Sequence, residues 1–334
     1  MKVSELGEFG LIDLLAKLVN ISLEKQASQQ QVIIGIGDDA GAWRGDTSTQ
    51  LVTTDSLTQD VHFSLNIISW KELGWKALSV NLSDIAAMGG VPRYALISLA
   101  LPGTTQVEDV TDLYQGMIEL AQQFKVAMIG GDTSRAPLVS ITITVLGSAR
   151  NGDKHILSRF AAKPGDKIAV TGYLGAAAAG LEMLTNQLQF DPEATTYLRD
   201  AFLRPLPRIA EGQLLVKQGV KTAIDISDGL FSDLKQVCKA SQVSARVEIE
   251  GVPIHSAVKA NFGDRALELA LSGGEDYELL FTARAEVINR VKEAASRPIT
   301  VIGEITAGKA GEVNLVDING NPFHLHKEGW EHFR

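Results

Sequence analysis

A chain of 334 residues outgrows a single hydrophobic core, which rarely extends past ~250–300 residues, so two domains are expected. Hydrophobic residues make up 45% and charged residues 21%, the ordinary balance of a globular protein. A net charge of −9 argues against a nucleic-acid or anionic-membrane partner, both of which call for basic patches. It leaves room for phosphate ligands, provided metal ions bring the positive charge. The single cysteine, Cys238, forbids an internal disulfide and fits a reducing cytoplasm. It shares the apolar face of a predicted helix with Phe231, Leu234 and Val237, so it reads as core. Met1 to Gly10 carries Glu5 and Glu8 and no apolar run, so no signal peptide is expected, and the chain offers no apolar run of ~18 residues to span a membrane.

Leu11-Ile12, Leu14-Leu15 and Leu18-Val19 recur at helical spacing and predict an amphipathic first helix. Val32-Ile33-Ile34 reads as a short buried strand that runs into Gly35-Ile-Gly37-Asp38-Asp39-Ala40. Two adjacent carboxylates repel unless a proton or a cation lies between them. A second strand, Leu51 to Thr54, ends in Asp55-Ser56, and His62 follows. Ser69 caps a long helix over 69–88 with Leu73, Ala77, Val80, Ile85 and Met88 on its stripe. Asn81 and Asp84, three apart, project from one face of it, where a buried carboxylate is costly unless paired or bound to metal. Arg93 to Leu101 predicts a strand, Val107 to Phe124 a helix with Tyr114 beside its stripe, and Val126 to Ile129 a strand ending in a Gly130-Gly131-Asp132-Thr133 turn. Leu138 to Leu146 completes the sheet of the first half.

Turn residues around 150–166, with Arg159 among them, divide the chain into 1–150 and 151–334. The second half opens with the strand Ile168 to Val170 and a small-residue helix from Gly175. Further helices follow over 194–203 and 209–217. In Ala223-Ile224-Asp225-Ile226-Ser227-Asp228-Gly229-Leu230, Asp225 and Ser227 fall on one side of a predicted strand. Asp228-Gly229 turns into a helix over 230–239, whose N-terminus can hold phosphate oxygens. Ser272-Gly-Gly-Glu275-Asp276-Tyr277 then precedes a strand over 278–281. The aromatic tail holds Trp330 and Phe333, either packed or offering a stacking surface. Strand-end acids recur in both halves, so an active site between the domains is expected.

The loops thus collect Asp38, Asp39, Asp55, Asp84, Asp132, Asp225 and Asp228 with Thr53, Thr54, Ser56 and Ser227. Hard oxygen donors without His or Cys clustering point to Mg²⁺, which completes its octahedron with water and substrate phosphates. An acid-lined cleft accepts ATP only if several metal ions intervene, an arrangement suited to phosphoryl transfer between anions. No P-loop, protein-kinase, Rossmann or G-x-S-x-G signature is present.

The series GIGDDA, TTDSL with His62, NLSDIAAMGG, IGGDT, AIDISDGL and SGGEDYEL resembles, in order and over nearly the whole chain, the motifs of the thiamine-monophosphate kinases. That family belongs to the superfamily of aminoimidazole ribonucleotide synthetase, selenophosphate synthetase and the hydrogenase-maturation dehydratase. The resemblance implies a two-domain α/β fold, with an N-terminal mixed sheet and helices that pair in a homodimer and a C-terminal α/β domain that completes the site. It implies ATP-dependent phosphorylation of thiamine monophosphate to thiamine diphosphate. Position by position, Asp39 (with Asp38 beside it), Thr54, Asp55, Asp84, Asp132, Asp225 and Asp228 match the family's Mg²⁺ ligands. Tyr114, Gly131, Asp132, Arg159 and Ser227 match its ATP contacts, and His62, Glu275 and Trp330 its contacts with thiamine phosphate. Ser56 stands where the family often has Thr. A phosphate monoester has its second pKa near ~6, so the attacking oxygen is already ionised at neutral pH and no general base is assigned.

Two other readings stay open on the sequence. Another ATP-dependent synthetase of the superfamily is disfavoured by the lack of a Cys before Cys238 and of a C-terminal Cys. A non-catalytic, acidic cation-binding protein would take up Mg²⁺ or Ca²⁺ tightly without nucleotide.

Overall fold

Apolar residues at helical spacing fold the start of the chain into α1 (Val3–Leu6) and α2 (Glu8–Glu24), which buries Leu11, Leu15 and Val19. The computed structural model describes residues 1–24, 32–34, 36, 42–43, 45, 47–150 and 155–329. Asp38, Asp39 and Trp330 lie outside them. Two units divide the chain: Met1–Ile85 with Val91–Asn151, and Ala86–Gly90 with Gly152–Arg334. The fold is mixed α/β, with a main sheet in each unit.

In the first unit β1 (Val32–Ile34) and β2 (Ala42–Trp43) form a two-stranded antiparallel ribbon. The main sheet is built from β3 (Gln50–Thr58), β4 (Val91–Leu101), β5 (Ala127–Arg135) and β6 (Ser140–Ser148), in the order β3-β6-β4-β5. Only β4 and β5 run parallel, and α4 (Val107–Phe124) makes the crossover between them. Strand β6 shows why the sheet has two characters. Ile141, Ile143 and Val145 are buried, while Thr142 and Thr144 between them are not. The helix α3 (Trp70–Ala87) starts where its capping box dictates: the Ser69 hydroxyl accepts from Glu72 N at 3.3 Å, and the Glu72 carboxylate accepts from Ser69 N at 3.0 Å. On the other side of the sheet, Trp43 meets Tyr94 with ring centroids 5.0 Å apart, in a cluster with Val32, Leu96 and Leu146.

Two of the expected strand-end turns are strand interiors. Strand β3 continues through Asp55 and Ser56 to Thr58, paired with β6 throughout. Strand β5 runs on through Gly130-Gly131-Asp132-Thr133. The pairing with β4 shifts between Ala95 and Leu96, where Met128 is followed in register by Gly130. The glycines there serve a bulge rather than a turn. A β-carbon on Gly131 would lie 1.9 Å from the Ile97 carbonyl oxygen, so only glycine lets the two strands stay paired.

In the second unit β7 (Lys167–Thr171) leads through α5 (Ala176–Thr185), α6 (Pro192–Leu203) and α7 (Ile209–Gln218) to β8 (Thr222–Asp225). Then follow α8 (Leu230–Ser241), β9 (Ser244–Glu248), α9 (Ser256–Phe262), α10 (Ala266–Ser272) and β10 (Leu279–Ala283). The chain continues with α11 (Ala285–Ala294), β11 (Ile299–Thr306) and β12 (Val313–Val316). The sheet order is β12-β9-β11-β7-β10-β8. Because β8 ends at Asp225, Ser227 sits in the following turn and not in the strand. Among the described residues no helix is long and apolar enough to cross a membrane.

Cys238 is fully buried in a core with Ile168, Val170, Leu234, Val237 and Leu280. Burial pushes its thiol up to about 12, so the reactive thiolate is scarce at pH 8. The native protein is therefore expected to leave a disulfide-exchange dye uncoloured at pH 8, and to release one equivalent only after denaturation; a full equivalent from the native protein would refute the packing.

Candidate active site

In the first unit, residues from β3 and α3 meet at one place. Alternation along β3 sends Thr53 and Asp55 toward α3. The Thr53 hydroxyl donates to the Asp84 carboxylate, and Asn81 Oδ1 accepts from Asp55 N at 3.1 Å. Asn81 is itself buried and donates to Ala77 O at 3.1 Å. Burial, then the charge and hydrogen bond of Asp84, push the Asp55 carboxyl up to about 6. Two carboxylates share a space that a cation would relieve.

Thr54 faces the other way, bonded through its hydroxyl to Ile143 O at 3.2 Å and Thr144 Oγ1 at 3.1 Å. Asp132 belongs to that same open face. The register Ser56–Thr142–Ser98–Asp132 runs straight across the four strands, and Ser56 and Thr142 touch at 2.7 Å. Three strand spacings, about 14 Å, separate β3 from β5. The structure thus brings Asp55 and Asp84 together but keeps Asp132 and Thr54 on the opposite face. His62 closes the turn after β3, its Nδ1 accepting from Thr58 N at 3.0 Å, which leaves the ring proton on Nε2. Tyr114 is buried in α4, and burial raises its phenol above the ordinary range.

The second unit joins two loops by backbone. The β8–β10 ladder pairs Asp225 with Leu279 and then continues past both strands. Ile226 N donates to Glu278 O at 2.8 Å, Tyr277 N to Ile226 O at 2.9 Å and Glu275 N to Ser227 O at 2.8 Å. Gly274 passes so close that a β-carbon would lie 2.4 Å from Ser227 O. Asp225, Ser227, Asp228 and Glu275 are therefore gathered in one place. Gly329 approaches as well: a β-carbon there would be 2.6 Å from Asp228 O.

Two residues that the sequence reading passed over hold this assembly. Asp233, buried in α8, accepts from Ser227 N and Asp228 N, both at 3.0 Å. Burial, then the charges of Asp225 and Asp228, push it up to about 8 against those two hydrogen bonds. Asp233 thus takes up the two backbone amides of the turn that precedes the N-cap of α8. Glu278 is held by the Arg208 guanidinium at 2.8 and 2.6 Å and by the Thr171 hydroxyl. Both ions are nearly out of solvent. Arg159 is not brought to this cluster. Its carbonyl accepts from Ser241 Oγ at 2.8 Å, at the far end of the 12-residue α8, about 18 Å from the Asp228 end.

Among the described residues, no three His, Cys, Asp or Glu side chains form a ready metal cage. The Asp55–Asp84 pair and the Asp225–Asp228 turn instead supply one or two carboxylates each, the donor set from which Mg²⁺ is bound when phosphate oxygens and water complete the shell. The residues fit that ion.

Replacing Arg208 by Ala is expected to cost about 3–5 kcal/mol in urea unfolding, because Glu278 then stays buried without its counterion. Adding Glu278→Gln to Arg208→Ala should recover much of the loss, and an unchanged double-mutant value would remove the ion pair from the account.

The family models described as AIR synthase related protein match at residues 37–149 for the N-terminal domain and 163–316 for the C-terminal domain. Thiamine-monophosphate kinase of Bacillus subtilis (strain 168) is 36% identical over 95% of this chain and 98% of its own length. That of Escherichia coli (strain K12) is 39% identical over 98% of each chain. Among solved structures, AaThiL complexed with AMPPCP and TMP superposes with a TM-score of 0.77 at 34% identity, covering 100% of this chain and 99% of that one. On full-length identity and both matched domains, the chain belongs to the thiamine-monophosphate kinase family.

Proposed function

We propose that this chain transfers the γ-phosphoryl group of ATP to thiamine monophosphate, giving thiamine diphosphate and ADP. The observation that carries this reading is the end-to-end likeness to a structure holding both AMPPCP, an ATP analogue, and TMP. The paired carboxylates Asp55 and Asp84 support it from the geometry.

Asp55, Asp84, Asp225 and Asp228 would hold Mg²⁺, with Asp38 and Asp39 added by resemblance. Bound there, Mg²⁺ would offset the repulsion between two polyanionic substrates. Asp132, on the other sheet face, would serve a separate ion; Thr54, on that face but three strands away, rests in its metal role on resemblance alone. The attacking phosphate oxygen is ionised at neutral pH, so the chain needs no general base. Its task is to orient the acceptor for in-line attack and to exclude a covalent detour. Glu275, His62 and Trp330 would contact the thiamine phosphate. Gly131, Asp132 and Ser227 would contact ATP, and Tyr114 and Arg159 rest in that role on resemblance alone. Residues 1–150 would serve ATP and Mg²⁺ binding and dimerisation, and 151–334 would complete the site. The open face of the first sheet, where Val52 is 70% exposed, would be covered by a second copy in a homodimer, working in the cytoplasm.

Phosphorus NMR with ATP, Mg²⁺ and thiamine monophosphate should show the diphosphate doublet growing with stoichiometric ADP. Consumption of ATP only with another acceptor would retain the superfamily and discard the substrate. Asp84→Asn and Asp132→Asn are each expected to lower kcat by at least about a hundredfold with the melting temperature preserved. Turnover near wild type in either would overturn its metal assignment. Excess chelator should abolish turnover without unfolding the protein, and activity that survives it would remove the metal from the reaction.

A further inference from the structure

The loop that carries Glu275 is bent in a way few side chains tolerate. Glu275 has φ 69° and Tyr277 φ 49°, two left-handed non-glycine residues with one residue between them. Such backbone persists only where its surroundings impose it, and it concentrates where a protein holds a ligand. On one side the imposition is visible in the backbone bonds of Glu275 and Tyr277 to Ser227 and Ile226. On the other side it comes from Asp276.

The Asp276 carboxylate leaves its own loop and reaches the start of α5, accepting from Gly175 N at 2.7 Å and Ala177 N at 3.2 Å. Helices normally take this bond from their own N-cap residue, as α6 does from Asp191, which accepts from Ala194 N at 2.9 Å. Helix α5 cannot. Its N-cap is Gly175 at φ 83°, and a β-carbon there would lie 2.7 Å from Ala270 N. The missing cap is supplied by a residue 101 positions away, and the orphan amides of α5 become the anchor for the bend.

We propose that Asp276 is a positioning residue for the acceptor substrate: by capping α5 across the fold it sets the left-handed bend that presents Glu275 to thiamine phosphate. This rests on the substrate reading above. A plain stabilising cap would affect how much enzyme is folded. A positioning cap also affects how well the folded enzyme holds one of its two substrates.

Steady-state kinetics with both substrates varied separates these roles. Asp276→Ala should raise KM for thiamine monophosphate by roughly tenfold to a hundredfold and leave KM for ATP unchanged. Asp276→Asn keeps one acceptor oxygen for Gly175 N and should fall between wild type and Asp276→Ala. Asp191→Ala, which removes an ordinary cap, should lower the melting temperature and move neither KM. A wild-type KM for thiamine monophosphate in folded Asp276→Ala overturns the proposal, as does an equal rise in Asp191→Ala. If Asp276→Ala does not fold, Asp276→Asn decides: a rise confined to the KM for thiamine monophosphate supports positioning, and an unchanged KM overturns it. A wild-type protein that ignores thiamine monophosphate fails before any variant is made, and defeats the substrate reading together with this inference.

Discussion

The candidate site of the second unit depends on one ladder of hydrogen bonds that does not stop where its strands do. Beyond Asp225 and Leu279, the antiparallel exchange between β8 and β10 continues through Ile226, Glu278, Tyr277 and Ser227 to Glu275. Loops usually owe their shape to local turn chemistry. Here each loop is a template for the other, so Asp225, Ser227, Asp228 and Glu275 are fixed as a set. The buried ion pair of Glu278 with Arg208 and the Asp233 carboxyl secure that set from behind, and Asp276 anchors only its Glu275 end.

Electrostatics explains why so many acids sit at the places a polyanion would visit. Asp55 and Asp233 are both pushed upward, by burial first and by neighbouring carboxylates second. Folding therefore brings acids together in partly dry surroundings, where ionising them carries a cost in free energy. Such a cost is typical of sites where binding a cation returns the free energy. Glu278 shows the contrasting solution, a carboxylate neutralised once and for all by a guanidinium and a hydroxyl.

Much of the first unit was legible because its signals are periodic. The stripe of α3, its Ser69 cap and the three-residue step from Asn81 to Asp84 need only helix geometry, and both side chains do meet β3. The alternation in β6 needs only strand geometry. The glycine stretch at 130–131 misled, because glycine marks turns and bulges alike and only the neighbouring strand decides between them. Strands β9, β11 and β12 and helices α9, α10 and α11 escaped notice, and length is not the reason, since β11 spans eight residues and α11 ten. Arg208 and Asp276 were illegible for a different reason: their partners lie 70 and 101 positions away, and no local pattern encodes that. The resemblance to a family named the acids but could not reveal that Asp132 and Asp55 occupy opposite faces of one sheet.

The sealed environment of Cys238 has a practical corollary. A protein whose sole native thiol is inaccessible behaves, toward maleimides and nitroxide reagents, as if it had none. A cysteine introduced at an exposed point in each unit can carry a spectroscopic probe without first stripping the background. Pairs of such probes would report on each unit separately.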